Sequence, residues 1–294
     1  MTGETAELKP KRTLGVFTLA MMNVAVICTL RGLPMMAEEG FSLIFYYLVT
    51  VLVFLIPVSL ISAELATGWP PHGPGGVYIW VREAFGERLG FVAIWLQWIQ
   101  NVIWFPTVLS FIAFFVALGS LGELSTWIVG PSKGLYTTAE DGHLPPFLQY
   151  VNREGVPTHI LIVQGGIVTV LAFIFLLMPN VSSSYWILSA LCVLLYLIMY
   201  ILLYCSAIRL RYSRPDVIRA YRVPLGNFGM WLVGGVGILG AMFAFAVGFF
   251  PPSQIETGSV FFYEAFLVIG ILVMCAAPII IGLFRKPAWA VLSS

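Results

Sequence analysis

Within an apolar stretch near the start of the chain, the run Thr29-Leu30-Arg31-Gly32-Leu33-Pro34 places a charge, a glycine and a proline side by side. Gly32 removes the steric penalty on non-helical dihedrals, and Pro34 removes a backbone donor, so a helix passing through this run should break there. Broken helix ends at membrane depth expose backbone amides and carbonyls that can hold the charged groups of a zwitterionic solute. The competing reading has Arg31 lying close to the outer interface and snorkelling to water.

A second group of candidates lies further along. Trp98 and Asn101 share one helical stretch, where an unsatisfied amide would be costly, so Asn101 should face the bundle or a wet cavity; interhelical bonding is the alternative. Glu64, Glu123 and Glu264 are the acidic residues within or beside apolar segments. Glu123 is the favoured candidate for a solute or proton role, with an outer-loop charge as its alternative. Glu64 would face cytoplasmic water or pair with a loop arginine, and Glu264 lies close to an outer helix end. Trp127, Tyr196 and Tyr200, the last two spaced i, i+4, offer flat apolar faces with polar tips, though such residues more often pack a core than a ligand.

No arrangement for covalent chemistry is readable. His72, His143 and His159 lack an acid at catalytic spacing, and neither a phosphate loop nor an HExxH motif occurs, so the chain is expected not to be an enzyme. The four cysteines fall inside apolar runs without metal-ligand spacing, so neither metal nor cofactor is expected.

The elements that must carry these residues follow from composition. Of 294 residues, 60% are hydrophobic and only 10% charged, which excludes a soluble single-core globule. The net charge of +1 is not that of a basic nucleic-acid binder. The chain reads as an all-α, polytopic membrane protein in which membrane lipid is the surrounding partner. Apolar runs predict spans near Leu14–Ala37, Phe41–Ala66, Leu89–Ala117, Ile160–Met178, Tyr185–Ile208, Phe228–Phe250 and Val260–Phe284. An eighth, over Leu118–Thr138, is weaker and abuts the third without a linker.

Charge decides the count. With eight spans, Lys9, Lys11, Arg12, Arg82, Arg88, Lys133, Arg153, Arg209, Arg211, Arg214, Arg219, Arg222, Arg285 and Lys286 all fall on one side, which puts both termini in the cytoplasm. The organisation is then a tail over 1–12, three spans over 13–117, five over 118–284 and a tail over 285–294. An inner segment at 68–87, rich in Pro and Gly before a short amphipathic stretch, would lie at the interface or dip into the bundle. No secretory signal is evident, and the first span would serve as the insertion signal. Gly234, Gly235, Gly237 and Ala241 offer a small-residue face on which a homodimer could pack, with packing inside the chain as the favoured alternative.

Several stretches together resemble the amino acid-polyamine-organocation superfamily, and within it the bacterial glutamate/γ-aminobutyrate antiporter family. They are Gly40-Phe41-Ser42-Leu43-Ile44-Phe45, Ala63-Glu64-Leu65-Ala66-Thr67, Gly75-Gly76-Val77-Tyr78-Ile79-Trp80-Val81, the run from Ser125 to Gly134, and Asn152-Arg153-Glu154-Gly155-Val156-Pro157. The resemblance implies a LeuT-like inverted-repeat fold with a broken first helix, and amino acid exchange across a bacterial inner membrane. Carried over by position, the break around Arg31 and Gly32 would hold the solute's amino and carboxyl groups through the backbone, Asn101 would line the site from the third helix, Trp127 would pack on the solute, and Tyr196 would approach it; Thr29, Trp98 and Tyr200 are candidates from the residue reading above.

Against that family the chain is short. Its third helix runs near Ala117 straight into what resembles the family's eighth, so the fourth to seventh helices are missing and the inverted repeat is incomplete. Removing an even number of spans would leave every later loop on its proper side. An amino acid antiporter and a transport-incompetent, internally deleted scaffold or remnant are therefore both expected readings. The short tail after Arg285 and Lys286 leaves no room for a cytoplasmic plug, so pH gating by such a tail is not expected.

Overall fold

A computed structural model of the protein describes residues 40–69, 76–109, 127–128, 130–152, 155–172, 181–251, 259–286 and 289. Every regular element among them is helical. In chain order these are α1 (Ser42–Gly68), α2 (Gly76–Phe85), α3 (Glu87–Leu109), α4 (130–140), a 3-10 turn at Pro146–Gln149, α5 (Thr158–Ala172), α6 (Val181–Ser213), α7 (Gly226–Val247) and α8 (Val260–Leu283). Among the described residues four helices are long and apolar enough to cross a membrane: Ser42–Gly68, Ser183–Ser213, Gly226–Val247 and Val260–Leu283. Each coincides within a few residues with an apolar run expected to span. The expected first span, residues 118–126 of the weaker span expected over Leu118–Thr138, and the Ala117–Leu118 junction lie outside the described residues.

Helix α6 is the axis of the bundle. It packs against α1, α2, α3, α7 and α8, and the largest apolar cluster forms where Leu188, Leu191, Leu195 and Met199 meet Ile94, Trp98, Ile99 and Val102 of α3. Outward faces are apolar too: Leu239 and Phe243 of α7 and Phe261 and Leu272 of α8 stand exposed, as expected of side chains solvated by lipid.

Two prolines shape the long helices. Pro57 cannot donate to the carbonyl four residues back, and just before it α1 widens into a π-helical turn over Val51–Leu55. Helix α7 accepts that bulge at Gly240, where a methyl group would lie 2.1 Å from Val53 Cγ1. In α8, Pro278 likewise leaves the Met274 carbonyl without its helical donor, and Trp95 Nε1 of α3 supplies one at 3.0 Å. This is how a proline is accommodated where water cannot satisfy the freed oxygen.

Three of the small residues of α7 pack inside the chain. A methyl group on Gly234 would touch Ile208, one on Gly237 would lie 2.7 Å from the Tyr204 ring, and Ala241 is fully buried; only Gly235 faces open space.

The segment at 68–87, expected to lie at the interface or to dip into the bundle, contains α2, which packs into the bundle. Its Tyr78 and Val81 are fully buried against α3 and α6. Glycines with positive φ stand at its two ends, Gly76 at 34° and Gly86 at 91°. Helix α3 approaches so closely that a methyl on Gly90 would meet Arg82 at 2.9 Å.

Candidate functional site

Five helices converge on a cavity of about 500 Å³. Each contributes residues at helical spacing, so one face of each turns inward: Val58, Ser62 and Ala66 from α1, Val77 and Trp80 from α2, Ile94 and Gln97 from α3, Gly130, Lys133 and Gly134 from α4, and Tyr196, Met199, Tyr200 and Leu203 from α6. Trp69 closes the end where α1 finishes. The wall is mainly apolar and aromatic, with polar groups at Ser62, Gln97, Lys133, Tyr196 and Tyr200. Among the described residues no carboxylate lines it.

The tyrosines form a ladder along α6. Tyr196 and Tyr200 have ring centroids 4.7 Å apart, Tyr204 follows Tyr200 at 6.4 Å, and Phe54 meets Tyr200 edge-on at 4.8 Å. Tyr196 also interacts with Gln97 across the cavity. These rings present stacking surface and hydroxyl groups to any occupant, as flat amphipathic walls do in small-molecule sites.

The structure therefore brings together Tyr196 and Tyr200 of the residues expected from sequence. Asn101 sits one turn from Gln97, 1% exposed; its Nδ2 donates to the Gln97 carbonyl at 2.8 Å, and its Oδ1 is buried without a partner. It does not line the cavity. Trp98 points to the opposite side of α3, where its Nε1 donates to Gln164 Oε1 at 3.2 Å and the Ser132 hydroxyl shares that acceptor at 3.3 Å. It lines a separate, wholly apolar cavity of about 220 Å³. Trp127 is half-buried and is not among the residues that wall the main cavity. Thr29, Arg31, Gly32 and Glu123 lie outside the described residues.

Sequence reasoning missed Gln97, Trp69, Trp80 and above all Lys133. The charge pattern counts Lys133 among the inner-side cations near the end of the Leu118–Thr138 run; it stands within α4, exposed, on the cavity wall. The recoverable signal is the spacing of Gly130, Lys133 and Gly134, which sets all three on one helical face.

Around the end of the bundle that holds Trp69, charges are closely paired. Glu64 is 1% exposed, so it does not face water; its Oε2 accepts from Arg211 Nη2 at 2.6 Å and from the Val223 amide at 2.7 Å, and its Oε1 lies 2.5 Å from Arg211 Nε and 3.5 Å from Arg219 Nε. Arg219 stacks on Trp69 at 4.9 Å and donates to the Leu210 and Arg214 carbonyls. Burial pulls the Arg219 pKa below its ordinary value.

A second network clasps the loop after α4. Asp141 accepts from the Tyr78 hydroxyl and from Arg82 Nη1 at 2.6 Å; Arg285, just beyond α8, donates to Glu87 at 2.7 Å and to the Asp141 and Gly142 carbonyls. His143, stacked on Phe91, lies 3.3 Å from Glu87. Burial and the Arg285 charge lower the His143 pKa, the Arg285 hydrogen bond lowers that of Glu87, and burial beside Asp141 raises that of Tyr78. Helix α2 belongs to both regions, with Val77 and Trp80 on the cavity and Tyr78 and Arg82 on the clasp.

Comparison with known proteins agrees with this architecture. A family model described as amino acid permease matches residues 14–114 and 106–273, two matches that overlap over 106–114, just before the Ala117–Leu118 junction. An uncharacterized transporter of Legionella pneumophila is 30% identical over 447 aligned positions, taking in 91% of this chain and 96% of the relative. Since the chain has 294 residues, that alignment requires a long gap within it. Glutamate/gamma-aminobutyrate antiporters of two Lactococcus lactis strains are 33% and 32% identical over 171 residues, 58% of this chain. The match spans 34% of each antiporter, about a third of its length. With two family matches that take in most of the sequence, on a bundle of helices long and apolar enough to cross a membrane, this chain belongs to the amino acid permease family.

Proposed function

We propose that the chain exchanges amino acids across a bacterial cytoplasmic membrane, as an antiporter of the glutamate/γ-aminobutyrate type, with both termini cytoplasmic. It would move its solute without making or breaking a covalent bond. The observation that carries this reading is the cavity of about 500 Å³ walled by Tyr196, Tyr200, Gln97 and Lys133 inside a bundle of the permease family. The volume suits a small amino acid, and the wall combines stacking faces with a few convergent polar groups. Thr29, Arg31, Gly32 and Glu123 are assigned to the same path from the sequence, through the helix break expected at Gly32 and Pro34 and the acidity of Glu123 beside an apolar segment.

The test is counterflow of radiolabelled glutamate and γ-aminobutyrate into proteoliposomes holding the monodisperse protein, beside Tyr200→Ala. Saturable exchange that the substitution reduces at least tenfold is the expected result.

The gap in the alignment favours one other reading, a transport-incompetent remnant that keeps part of the scaffold. Alternating access needs one repeat to rock against the other, and a chain lacking several helices has less to move. A homodimer could complete such a path, but it would have to assemble on a face other than Gly234, Gly237 and Ala241. Absence of exchange from folded, reconstituted protein, both as monomer and after crosslinking to a dimer, would assign the remnant.

A further inference from the structure

The end of α6, the 214–225 connection and the start of α7 hold Arg209, Arg211, Arg214, Arg219 and Arg222 against a single acid, Asp216. Arg211 and Arg219 turn inward to Glu64, while Arg209, Arg214 and Arg222 are exposed. Arg214 Nη2 lies 3.4 Å from Glu83, and Arg209 lies over the Phe85 ring at 4.9 Å. Arg222 meets no carboxylate among the described residues. Burial, and after it the Arg211 and Arg222 charges, lower the Arg219 pKa against the opposing pull of Glu64. One buried carboxylate thus leaves this corner of the bundle with an excess of positive charge.

The same corner exposes large apolar side chains. Tyr212, Ile218, Leu225, Phe228 and Trp231 are each more than half exposed, Ile218 at 88%. Trp231 Nε1 donates to the Tyr212 hydroxyl at 2.9 Å, which joins the end of α6 to the start of α7. Rings with an apolar body and a polar tip settle at the headgroup level of a bilayer. Leu225 is the only non-glycine residue with positive φ among the described residues, at 64°, a conformation disfavoured by its Cβ. Its side chain is exposed, so packing inside the chain does not compensate for that strain. Beyond Trp231 the rest of α7 carries no charge, and Leu239 and Phe243 stand exposed as acyl chains require. The arginines therefore sit at one level, beside the aromatic pair, where the phosphates of a bilayer lie.

We propose that this corner binds an anionic phospholipid of the surrounding membrane, its phosphate drawn to Arg222 with Arg209 and Arg214 adding attraction, and its acyl chains lying along Phe228 and Trp231. A guanidinium presents paired donors that match phosphate oxygens. A zwitterionic lipid brings its own cation beside the phosphate and gains little from the surplus arginine charge, so preference follows headgroup charge. The surface does not depend on exchange, since a transport-incompetent remnant would hold the same lipid.

The experiment is native mass spectrometry of the full chain, delipidated in detergent and titrated with phosphatidylglycerol or phosphatidylethanolamine of the same acyl chains. Wild type should bind phosphatidylglycerol at least about tenfold more tightly. Arg222→Gln should lose about fivefold of that affinity at an unchanged thermal midpoint. Arg88→Gln removes an equal charge from an exposed position at the start of α3 and should stay within about twofold of wild type. Equal losses from the two substitutions would mean a diffuse surface potential and would overturn the site, as would a wild type that binds both lipids alike.

Two further arms test the lipid as the source of the phosphate. Phe228→Ser should weaken binding of both lipids and leave the headgroup preference in place; unchanged binding overturns the path assigned to the acyl chains. Glycerol phosphate, which has the anionic group without acyl chains, should not displace phosphatidylglycerol at equal concentration. Displacement would show a site for a free anion, and the lipid assignment would fail.

Discussion

The cavity and the charged end of the bundle lie side by side, share α2, and treat polar groups in opposite ways. At the charged end Glu64, Glu87 and Asp141 each meet two or more donors or cations. In the cavity, Gln97, Lys133, Tyr196 and Tyr200 line open volume between aromatic walls. Satisfied polar networks rigidify, whereas an unfilled polar site keeps part of its interaction energy available to an occupant. The difference separates the residues that hold the bundle together from those left for a ligand, and substitutions in the two regions should fail differently.

The largest effect is expected at Glu64. Glu64→Ala leaves Arg211 and Arg219 buried without their shared carboxylate, and breaking a buried pair from one side costs about 3–5 kcal/mol. Thermal unfolding in detergent should show a large drop in midpoint, and a change of less than about 1 kcal/mol would mean that water reaches the arginines and the region is not closed.

An intermediate effect is expected from acid at the clasp. Both His143 and Glu87 have pKa values lowered in the folded protein. In each case the unfolded chain binds the proton more readily, so the associated stability is present at neutral pH and is lost on acidification. The histidine contribution should decline once pH falls below about 6.5, and the glutamate contribution below its ordinary range near 4.3. Unfolding midpoints recorded from pH 7.5 to 5 should therefore fall for wild type and fall less for His143→Gln. Equal slopes would remove His143 from the clasp.

The smallest effect on stability is expected in the cavity. Tyr200→Phe should change the unfolding free energy by no more than about 1 kcal/mol, the net worth of one hydrogen bond. The same substitution should raise KM for exchange several-fold with little change in the thermal midpoint. A stability loss comparable to that of Glu64→Ala would show that the tyrosine ladder serves the fold rather than the ligand.

Much of this architecture is legible in the sequence, because apolar length is a direct signal of membrane-crossing helices. The runs Phe41–Ala66 and Val260–Phe284 correspond to helices Ser42–Gly68 and Val260–Leu283. The i, i+4 spacing of Tyr196 and Tyr200 correctly put both on one face, and both reach the cavity. Periodicity does not say which neighbour a face will meet, however. Trp98 and Gln97 are adjacent in sequence and so face different sides of α3; Trp98 bonds to Gln164, and Gln97 takes the cavity. Glu64 could be read as solvated or paired, and only the approach of the 214–225 connection decides for burial. Lys133 was legible as part of the Leu118–Thr138 span and as an inner-side charge, but charge counting says nothing about which cavity a helix face lines.

The π-helical turn in α1 has a consequence for how the gene can change. A π turn is an α-helix carrying a surplus residue in a widened turn, and removing one residue from Val51–Leu55 would restore regular winding while leaving Ser42–Thr50 close to its present orientation. No residue of Ser42–Thr50 is buried, so any residual shift of that stretch disturbs little of the packing described here. One deletion within Ile56–Gly68 would instead swing Glu64 away from Arg211. The helix thus divides into a stretch that tolerates a codon gained or lost and a stretch that does not, with the boundary set at Pro57.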